Sequence, residues 1–194
     1  MAASSAVVAL GTQAPPFNLP DTLTGKTLSL DLIKSEKATV VMFLCNHCPY
    51  VQHVNAELVR LAQDYIPQGV AFVAISANDV ATYPEDSPEH MQEVARREGY
   101  LFPYLYDESQ EVARAYQAAC TPDFYVFDGK LKLAYHGQLD DSRPDRRKPG
   151  DTSAYTPAPL SGKDMRQALD ALLAGKSIPS PQKPSIGCSI KWKT

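Results

Sequence analysis

Two cysteines three residues apart are the residues in this sequence best suited to chemistry. Cys45 and Cys48 form a Cys-x-x-Cys pair, a spacing at which two thiols can cycle between dithiol and disulfide or can bind a metal ion. The pair follows an apolar run and precedes apolar residues at helical spacing, which predicts that a strand ends and a helix begins here. The N–H groups and dipole of a helix N-terminus stabilise a thiolate. We therefore expect Cys45 to be the nucleophile and Cys48 to be the thiol that resolves the mixed disulfide.

Three other residues are candidates to influence this pair. His47 lies between the two cysteines and, when protonated, would favour a thiolate at Cys45; the alternative is an exposed histidine with little influence. Cys120 and Cys188 are each expected either to be small, packed apolar residues or to act as accessory redox thiols. The sequence leaves these alternatives open.

Composition limits the class of partner and the cellular setting. The chain has 194 residues, with 19 Lys and Arg against 22 Asp and Glu, so neither a nucleic acid nor an anionic membrane is expected as a partner. No apolar run approaches the ~20 residues that span a bilayer. Four cysteines are too few for a disulfide-stapled secreted scaffold, and the first ten residues lack the charged region of a secretory signal. We therefore expect a cytoplasmic protein, in which a close cysteine pair is redox-active or metal-binding.

The elements that must position the pair follow an α/β pattern. Apolar runs at 39–44 and 70–76 predict two buried strands, and a helix beginning near Pro49 connects them, which is the size and order of a right-handed βαβ unit. The other predicted elements, in chain order, are a hairpin within 11–30, a polar loop at 79–88, a helix at 89–98, a short extended piece at 102–107, a helix at 111–119, paired strands at 124–127 and 131–135, a helix at 164–174 and an edge strand at 186–192. The result is a central mixed β-sheet flanked by helices.

A long segment at 138–159 shows no periodicity and contains four prolines. A connection of this length without secondary structure is expected to be functional or mobile. The basic run at 146–148 within it is expected to be a solvated part of the loop.

The order of these features resembles the thioredoxin superfamily, in particular its redoxin or peroxiredoxin-like branch. The matching motifs are Gly11-x3-Pro15-x-Phe17-x-Leu19-x-Asp21, Phe43-Leu44-Cys45-Asn46-His47-Cys48-Pro49, and Thr121-Pro122 before a strand. The resemblance implies a thioredoxin-like domain at 11–175, with a flexible N-terminus at 1–10 and an extended C-terminal tail at 176–194 that packs on the domain. It also implies that Pro122 is a cis proline beside the dithiol and that Thr121 contacts the substrate chain.

The chain departs from thioredoxins at two points. Thioredoxins commonly have Trp-Cys-Gly-Pro-Cys, whereas Leu44 stands in place of the tryptophan and Asn46-His47 in place of Gly-Pro. A histidine before the second cysteine is similar to the oxidising DsbA-type pattern. Thioredoxins also commonly bury an aspartate in the strand before the pair, and the strand at 39–44 contains no acid. We expect Glu36 or a water to accept the proton instead.

Three functions remain after these comparisons of motifs. The leading hypothesis is a thiol–disulfide oxidoreductase that acts on disulfides and thiols of proteins or small molecules, needs no bound cofactor and takes electrons from an unidentified reductant. The alternative is an antioxidant thiol peroxidase, since Cys48-Pro49 resembles the Cys-Pro of a peroxidatic site, although Cys45 stands where that motif carries Thr or Ser. The third is a metal-binding module on Cys45 and Cys48, although zinc requires a second ligand pair, and the sequence offers none.

Overall fold

The strand that ends at the cysteine pair lies at the centre of a five-stranded sheet. The computed structural model describes residues 2–145 and 158–194. Its strands are β1 (Ala2–Ser4), β2 (Asn18–Pro20), β3 (Thr27–Ser29), β4 (Ala38–Phe43), β5 (Val70–Ser76), β6 (Tyr104–Tyr106), β7 (Cys120–Thr121), β8 (Asp123–Asp128), β9 (Leu133–His136) and β10 (Ile186–Ser189). Its helices are α1 (Leu30–Ile33), α2 (Pro49–Tyr65), α3 (Pro88–Glu98), α4 (Glu111–Ala115) and α5 (Lys163–Leu173).

The central sheet is mixed, as the sequence predicted. The strand order is β6-β5-β4-β8-β9, and β4 pairs in parallel with β5 but antiparallel with β8. All six residues of β4 are buried, because both faces of this strand are covered. The predicted position of β4 at the middle of the sheet is therefore confirmed.

Two apolar clusters lie on the two faces of the sheet. Val40 and Met42 of β4 belong to the cluster formed with α2, α3 and α5, whereas Val41 and Phe43 belong to the cluster formed with α1, α4 and the β2–β3 hairpin. This alternation follows from the two-residue period of a strand. The arrangement is the thioredoxin-like α/β fold that the sequence predicted, with helices on both faces.

A second, three-stranded sheet brings both ends of the described chain to the cysteine pair. β10 lies between β1 and β7 and pairs antiparallel with both. The alternation at 186–192 predicted an edge strand, and this prediction is wrong because β10 has a partner on each side. At the N-terminus, Ala2–Ser4 form β1 and the Ser5 N–H donates to the Ser185 carbonyl oxygen at 3.0 Å; flexibility of residues 1–10 stays a prediction.

The remaining elements agree with the sequence pattern except in their bounds. The β2–β3 hairpin and the β8–β9 pair are present, and the helix predicted at 111–119 is the shorter α4. Of the long segment at 138–159, residues 146–157 lie outside the described residues, and this includes the basic run at 146–148. Within the described ranges, no helix has the length and apolar character needed to cross a membrane.

Candidate active site

The two thiols of the Cys-x-x-Cys pair lie together at the start of α2. Cys48 is the N-cap residue of α2, and Pro49 is the first helical residue. Proline is well suited to this position, because the N–H that it lacks would have no partner within the helix. Cys45 lies in the preceding turn, and the side chains are almost inaccessible, at 1% and 0% exposure for Cys45 and Cys48. Both are free thiols, so the structure describes the reduced pair.

Thr121 contacts both sulfurs of the pair. Its hydroxyl lies 3.1 Å from the Cys45 sulfur, and its carbonyl oxygen lies 3.2 Å from the Cys48 sulfur, where it accepts a hydrogen bond whenever Cys48 is protonated. The Thr121–Pro122 peptide bond is cis, as the resemblance implied for Pro122. The structure therefore brings together the four site residues that were predicted from the sequence, namely Cys45, Cys48, Thr121 and Pro122.

The surroundings of the two thiols are electrostatically unequal. A hydrogen bond with Cys45, another with Cys188, and the backbone N–H groups of Val51 and Cys188 lower the pKa of Cys48 to about 5. The hydrogen bond to Cys48, burial, and the charge of Asp86 raise the pKa of Cys45 well above its ordinary value. The reduced pair therefore favours a thiolate on Cys48.

This charge distribution differs from the sequence-based expectation of a Cys45 thiolate. The reason is the position of the helix: α2 begins after Cys48, so its first N–H groups and the positive end of its dipole face Cys48 rather than Cys45. Cys45 is one turn further away and lies beside a carboxylate.

That carboxylate, Asp86, is a site residue that the sequence analysis missed. It lies in the short turn before α3, is fully buried, and accepts hydrogen bonds from the backbone N–H groups of Asn46 at 2.7 Å and His47 at 3.2 Å and from the Asn78 side chain at 2.7 Å. Its second contact with His47 is an ion pair of 2.6 Å through Nδ1. No motif spacing connects this position to the cysteines, so the sequence carried no signal for it.

The His47–Asp86 pair shifts the pKa of both partners. The hydrogen bond with Asp86 raises the pKa of His47. Burial would raise the pKa of Asp86, but hydrogen bonds from His47 and Asn78 hold it below its ordinary value. Glu36, which we expected as the acid near the pair, is instead exposed just before the start of β4, at the end of that strand remote from Cys45.

The ring of His47 reaches the rim of the site. It stacks on the ring of Tyr83, with the two ring centroids 5.2 Å apart. The Lys191 ammonium lies 5.5 Å from the centroid of the same Tyr83 ring. The side chain of His47 is 21% exposed. His47 therefore links the buried carboxylate to the surface.

The two further cysteines lie near the pair in different environments. Cys120 is fully buried; its thiol donates to the Pro122 carbonyl oxygen at 3.6 Å, and burial raises its pKa. Cys188 is partly exposed on β10, opposite Thr121, and packs against the apolar cluster that contains Cys45 and Cys48. Both accessory candidates thus adjoin the site.

Three ligand types approach each other at the site, but their hydrogen bonds argue against a metal centre. The ligand atoms of Cys45, His47 and Asp86 all lie within 4.8 Å of one another. However, His47 uses Nδ1 on Asp86, and both carboxylate oxygens already accept two hydrogen bonds each. A metal ion at this position would have to displace the His47–Asp86 pair.

Residues 10–136 match the AhpC/TSA family, and the chain belongs to this family. Together with the fold, this assigns it to the redoxin branch of the thioredoxin superfamily and to redox chemistry in general terms.

Two solved structures are similar over nearly the whole chain. A protein from Geobacillus kaustophilus described as an uncharacterized conserved protein has 58% identity and a TM-score of 0.89, covering 100% of this chain and 97% of that one. A hypothetical protein from Sinorhizobium meliloti 1021 has 43% identity and a TM-score of 0.90, covering 98% of each chain.

A more distant structure extends the likeness of fold. The thioredoxin domain of a thiol-disulfide oxidoreductase from Bacteroides vulgatus has 18% identity and a TM-score of 0.58, covering 67% of this chain and 89% of that one. A comparison with curated proteins gives no match.

Proposed function

We propose that this protein is a thiol–disulfide oxidoreductase that cycles Cys45 and Cys48 between dithiol and disulfide. The observation that carries this proposal is the contact of Thr121 with both sulfurs at the start of α2. This arrangement holds the two thiols side by side and supplies backbone groups next to them. A thiolate attacks a substrate disulfide, one substrate thiol leaves, and the second cysteine attacks the mixed disulfide and releases the other.

The electrostatics suggest which thiol acts first and what assists the second. Cys48, with its lowered pKa, is the better nucleophile in the resting reduced pair, although the sequence assigned this role to Cys45. Cys45 must then lose a proton before it attacks the mixed disulfide. The Asp86 carboxylate lies within 4.8 Å of its sulfur, and through His47 this carboxylate connects to the surface. Because both oxygens of Asp86 already accept two hydrogen bonds each, we assign acceptance of this proton to the neutral His47 imidazole, which Asp86 orients.

A second candidate is a thiol peroxidase, which the lowered pKa of Cys48 favours. The Cys48 thiolate would attack the O–O bond of a peroxide, giving Cys48 sulfenic acid and releasing water or an alcohol. The Cys45 thiol would then condense with the sulfenic acid, releasing water and forming the same Cys45–Cys48 disulfide. Burial of both thiols suits a small oxidant.

The partners we propose follow from this chemistry. They are disulfides and thiols of proteins or small molecules, with peroxide as the alternative oxidant, and a separate reductant that returns the pair to the dithiol. We place the protein in the cytoplasm, where a surrounding pool of reduced thiols allows such cycling.

Single substitutions distinguish the candidate functions. Cys45→Ser and Cys48→Ser are assayed for reduction of insulin disulfides and for turnover of hydrogen peroxide, with Cys120→Ser as a matched thiol deletion. Loss of insulin reduction in the first two variants, but not in the third, supports the oxidoreductase. Peroxide turnover that survives Cys45→Ser with added thiol but is lost in Cys48→Ser supports the peroxidase. Stoichiometric zinc in the wild-type protein would contradict both.

A further inference from the structure

The buried position of the dithiol conflicts with the size of a disulfide substrate. The Cys45 and Cys48 side chains are 1% and 0% exposed, so even the disulfide of a small thiol cannot align with either sulfur in this conformation. Among the four cysteines, all of which the structure describes, Cys188 alone is partly exposed. It therefore has the access that the pair lacks.

The C-terminal strand places Cys188 directly against the pair. In the β10–β7 pairing Cys188 lies opposite Thr121, the residue that contacts both sulfurs. Its neighbour Gly187 allows this close approach, because a Cβ at that position would lie 2.0 Å from the Thr121 carbonyl oxygen.

Three sulfurs consequently form a continuous path. Cys45, from the loop before α2, belongs to the same apolar cluster as Cys48, and Cys188 of β10 packs against that cluster; interactions with both neighbours lower the pKa of Cys48. Cys48 can therefore exchange with either neighbour. Cys120 is outside this path, because it is fully buried and its thiol is directed to the Pro122 carbonyl oxygen.

We propose that Cys188 is an entry thiol, through which disulfides of small thiols exchange with the buried pair by way of a transient Cys48–Cys188 disulfide. The proposal rests on the redox cycle of Cys45 and Cys48 argued above. It assigns a catalytic role to the C-terminal strand, which otherwise serves only to cover the site.

The exchange balances in three steps. The Cys188 thiolate attacks a disulfide RSSR, forming Cys188–SR and releasing RS⁻, which takes a proton. The Cys48 thiolate attacks the Cys188 sulfur, forming the Cys48–Cys188 disulfide and releasing the second RS⁻, which is protonated in turn. Cys45 gives up its proton and attacks the Cys48 sulfur, forming the Cys45–Cys48 disulfide and regenerating Cys188. The sum is reduction of RSSR to two RSH by the dithiol.

A trapping experiment tests the intermediate. The Cys45→Ser variant lacks the last nucleophile, so oxidation with glutathione disulfide should leave Cys48 linked to Cys188, as detected by mass spectrometry of non-reduced peptides. The double variant Cys45→Ser/Cys120→Ser should keep this link, and Cys45→Ser/Cys188→Ser should lack it. A Cys45→Ser protein in which Cys48 becomes glutathionylated but never links to Cys188 overturns the proposal.

A rate measurement separates this proposal from the proposed function. In Cys188→Ser, formation of the Cys45–Cys48 disulfide by glutathione disulfide should slow by about tenfold or more, because access limits exchange, while Cys120→Ser should react at the wild-type rate. Cys188→Ala and a thermal unfolding curve for each variant show whether a slow rate reflects misfolding. Unchanged rates in both Cys188 variants overturn the entry role alone. Failure of wild-type protein to form the Cys45–Cys48 disulfide contradicts the proposed function instead.

Discussion

Asp86 gives the two cysteines unequal properties. It fixes the loop that carries them by accepting hydrogen bonds from two successive backbone N–H groups, at Asn46 and His47. The hydrogen bond to Cys48 and burial raise the pKa of Cys45, and the charge of Asp86 raises it further, while the start of α2 favours ionisation of Cys48. One buried carboxylate therefore both shapes the loop and contributes to the difference in pKa between the two thiols.

The first prediction concerns the thiolate on Cys48. The ¹³Cβ chemical shift of Cys48 in the reduced protein should titrate about a midpoint near 5, the value to which its hydrogen bonds lower the pKa. Cys45→Ala removes the hydrogen bond that contributes most, so the midpoint should move upward, by roughly one unit or more. The shift is followed by NMR at the assigned Cys48 resonance, so that the other thiols do not contribute and no reagent has to reach the buried sulfur. A midpoint near 8.5, the ordinary pKa of a cysteine, would contradict the assignment.

The second prediction concerns the His47–Asp86 ion pair. The raised pKa of His47 means that its stabilisation is complete below the unfolded value of about 6.5 and is lost as the pH rises through the folded value. The lowered pKa of Asp86 means that its stabilisation is complete above about 3.9 and is lost as the pH falls through the folded value. Both contributions are therefore present together between about pH 4 and 6.5.

His47→Gln should accordingly reduce the free energy of unfolding more at pH 5.5 than at pH 9, as measured by urea denaturation. Asp86→Asn is the matched variant. It removes the other half of the pair, so the effects of the two substitutions should be strongly non-additive in the double variant at pH 5.5. Equal effects of His47→Gln at both pH values would exclude a charged His47 as the stabilising form.

The difference between the predicted and the observed site has a physical origin. Cys45, Cys48, Thr121 and Pro122 were predictable because short motifs place them, and each motif adjoins an apolar strand. Asp86 was not predictable, because the crossover from β5 to α3 brings it to the cysteines through a polar loop. The sequence predicts a helix that begins near Pro49, but it does not show that Asp86 lies beside Cys45 or which hydrogen bonds the two sulfurs receive, so it favours Cys45 as the thiolate.

Among the elements, β10 shows what a period-two pattern can and cannot predict. Alternation at 186–192 indicates a strand with one covered face, but it says nothing about backbone partners on the two edges. In the structure the N-terminal strand β1 covers one edge and β7 the other. Local propensity could not predict this arrangement, because β1 and β10 come from opposite ends of the sequence.

The third prediction concerns the close packing of β10 on β7. A methyl group at Gly187 would meet the Thr121 carbonyl oxygen at 2.0 Å, so Gly187→Ala must push the strand away from the dithiol. Overpacking of this kind costs about 1–3 kcal/mol. Urea denaturation should show this loss, and hydrogen exchange should be faster at the amides of β10 than in the wild-type protein.

Ser189→Ala is the control for this substitution, since it lies on the same strand and adds no atoms. Its hydroxyl lies 3.5 Å from the Lys191 ammonium, a partly buried contact that is too long for a strong hydrogen bond. Wild-type stability and exchange in Gly187→Ala would show that the strand does not need its close approach to Thr121.

For the molecule as a whole, the site is assembled from elements that lie far apart along the chain. β4 and α2 supply the two cysteines, the segment before β8 supplies Thr121, and β10, held by β1, covers them. Stability of the whole fold and ionisation of Cys48 are therefore coupled, because the low pKa exists only in the folded protein.

The fourth prediction follows from this coupling. In the reduced protein the folded pKa of Cys48 is about 5, against about 8.5 in the unfolded chain. Its stabilisation is thus complete above the unfolded value and is lost as the pH falls through the folded value. The oxidised protein has no Cys48 thiolate and lacks this contribution. The stability of the reduced form relative to the oxidised form should therefore increase from pH 5 to pH 8, with a slope of at most about 1.4 kcal/mol per pH unit.

Guanidinium unfolding of both redox forms at pH 5, 6.5 and 8 measures the difference in their free energies of unfolding. The Cys45→Ser/Cys48→Ser variant cannot form the disulfide, so its pH dependence corrects for the other titrating groups. Folding and oxidation are linked by a thermodynamic cycle. An increase in the folding stability of the reduced form relative to the oxidised form therefore makes the dithiol–disulfide pair a stronger oxidant. A rising difference thus predicts a protein that accepts electrons readily at neutral pH, consistent with a histidine before the second cysteine. A difference that stays constant from pH 5 to 8 would place the thiolate elsewhere and remove the electrostatic basis for an oxidising pair.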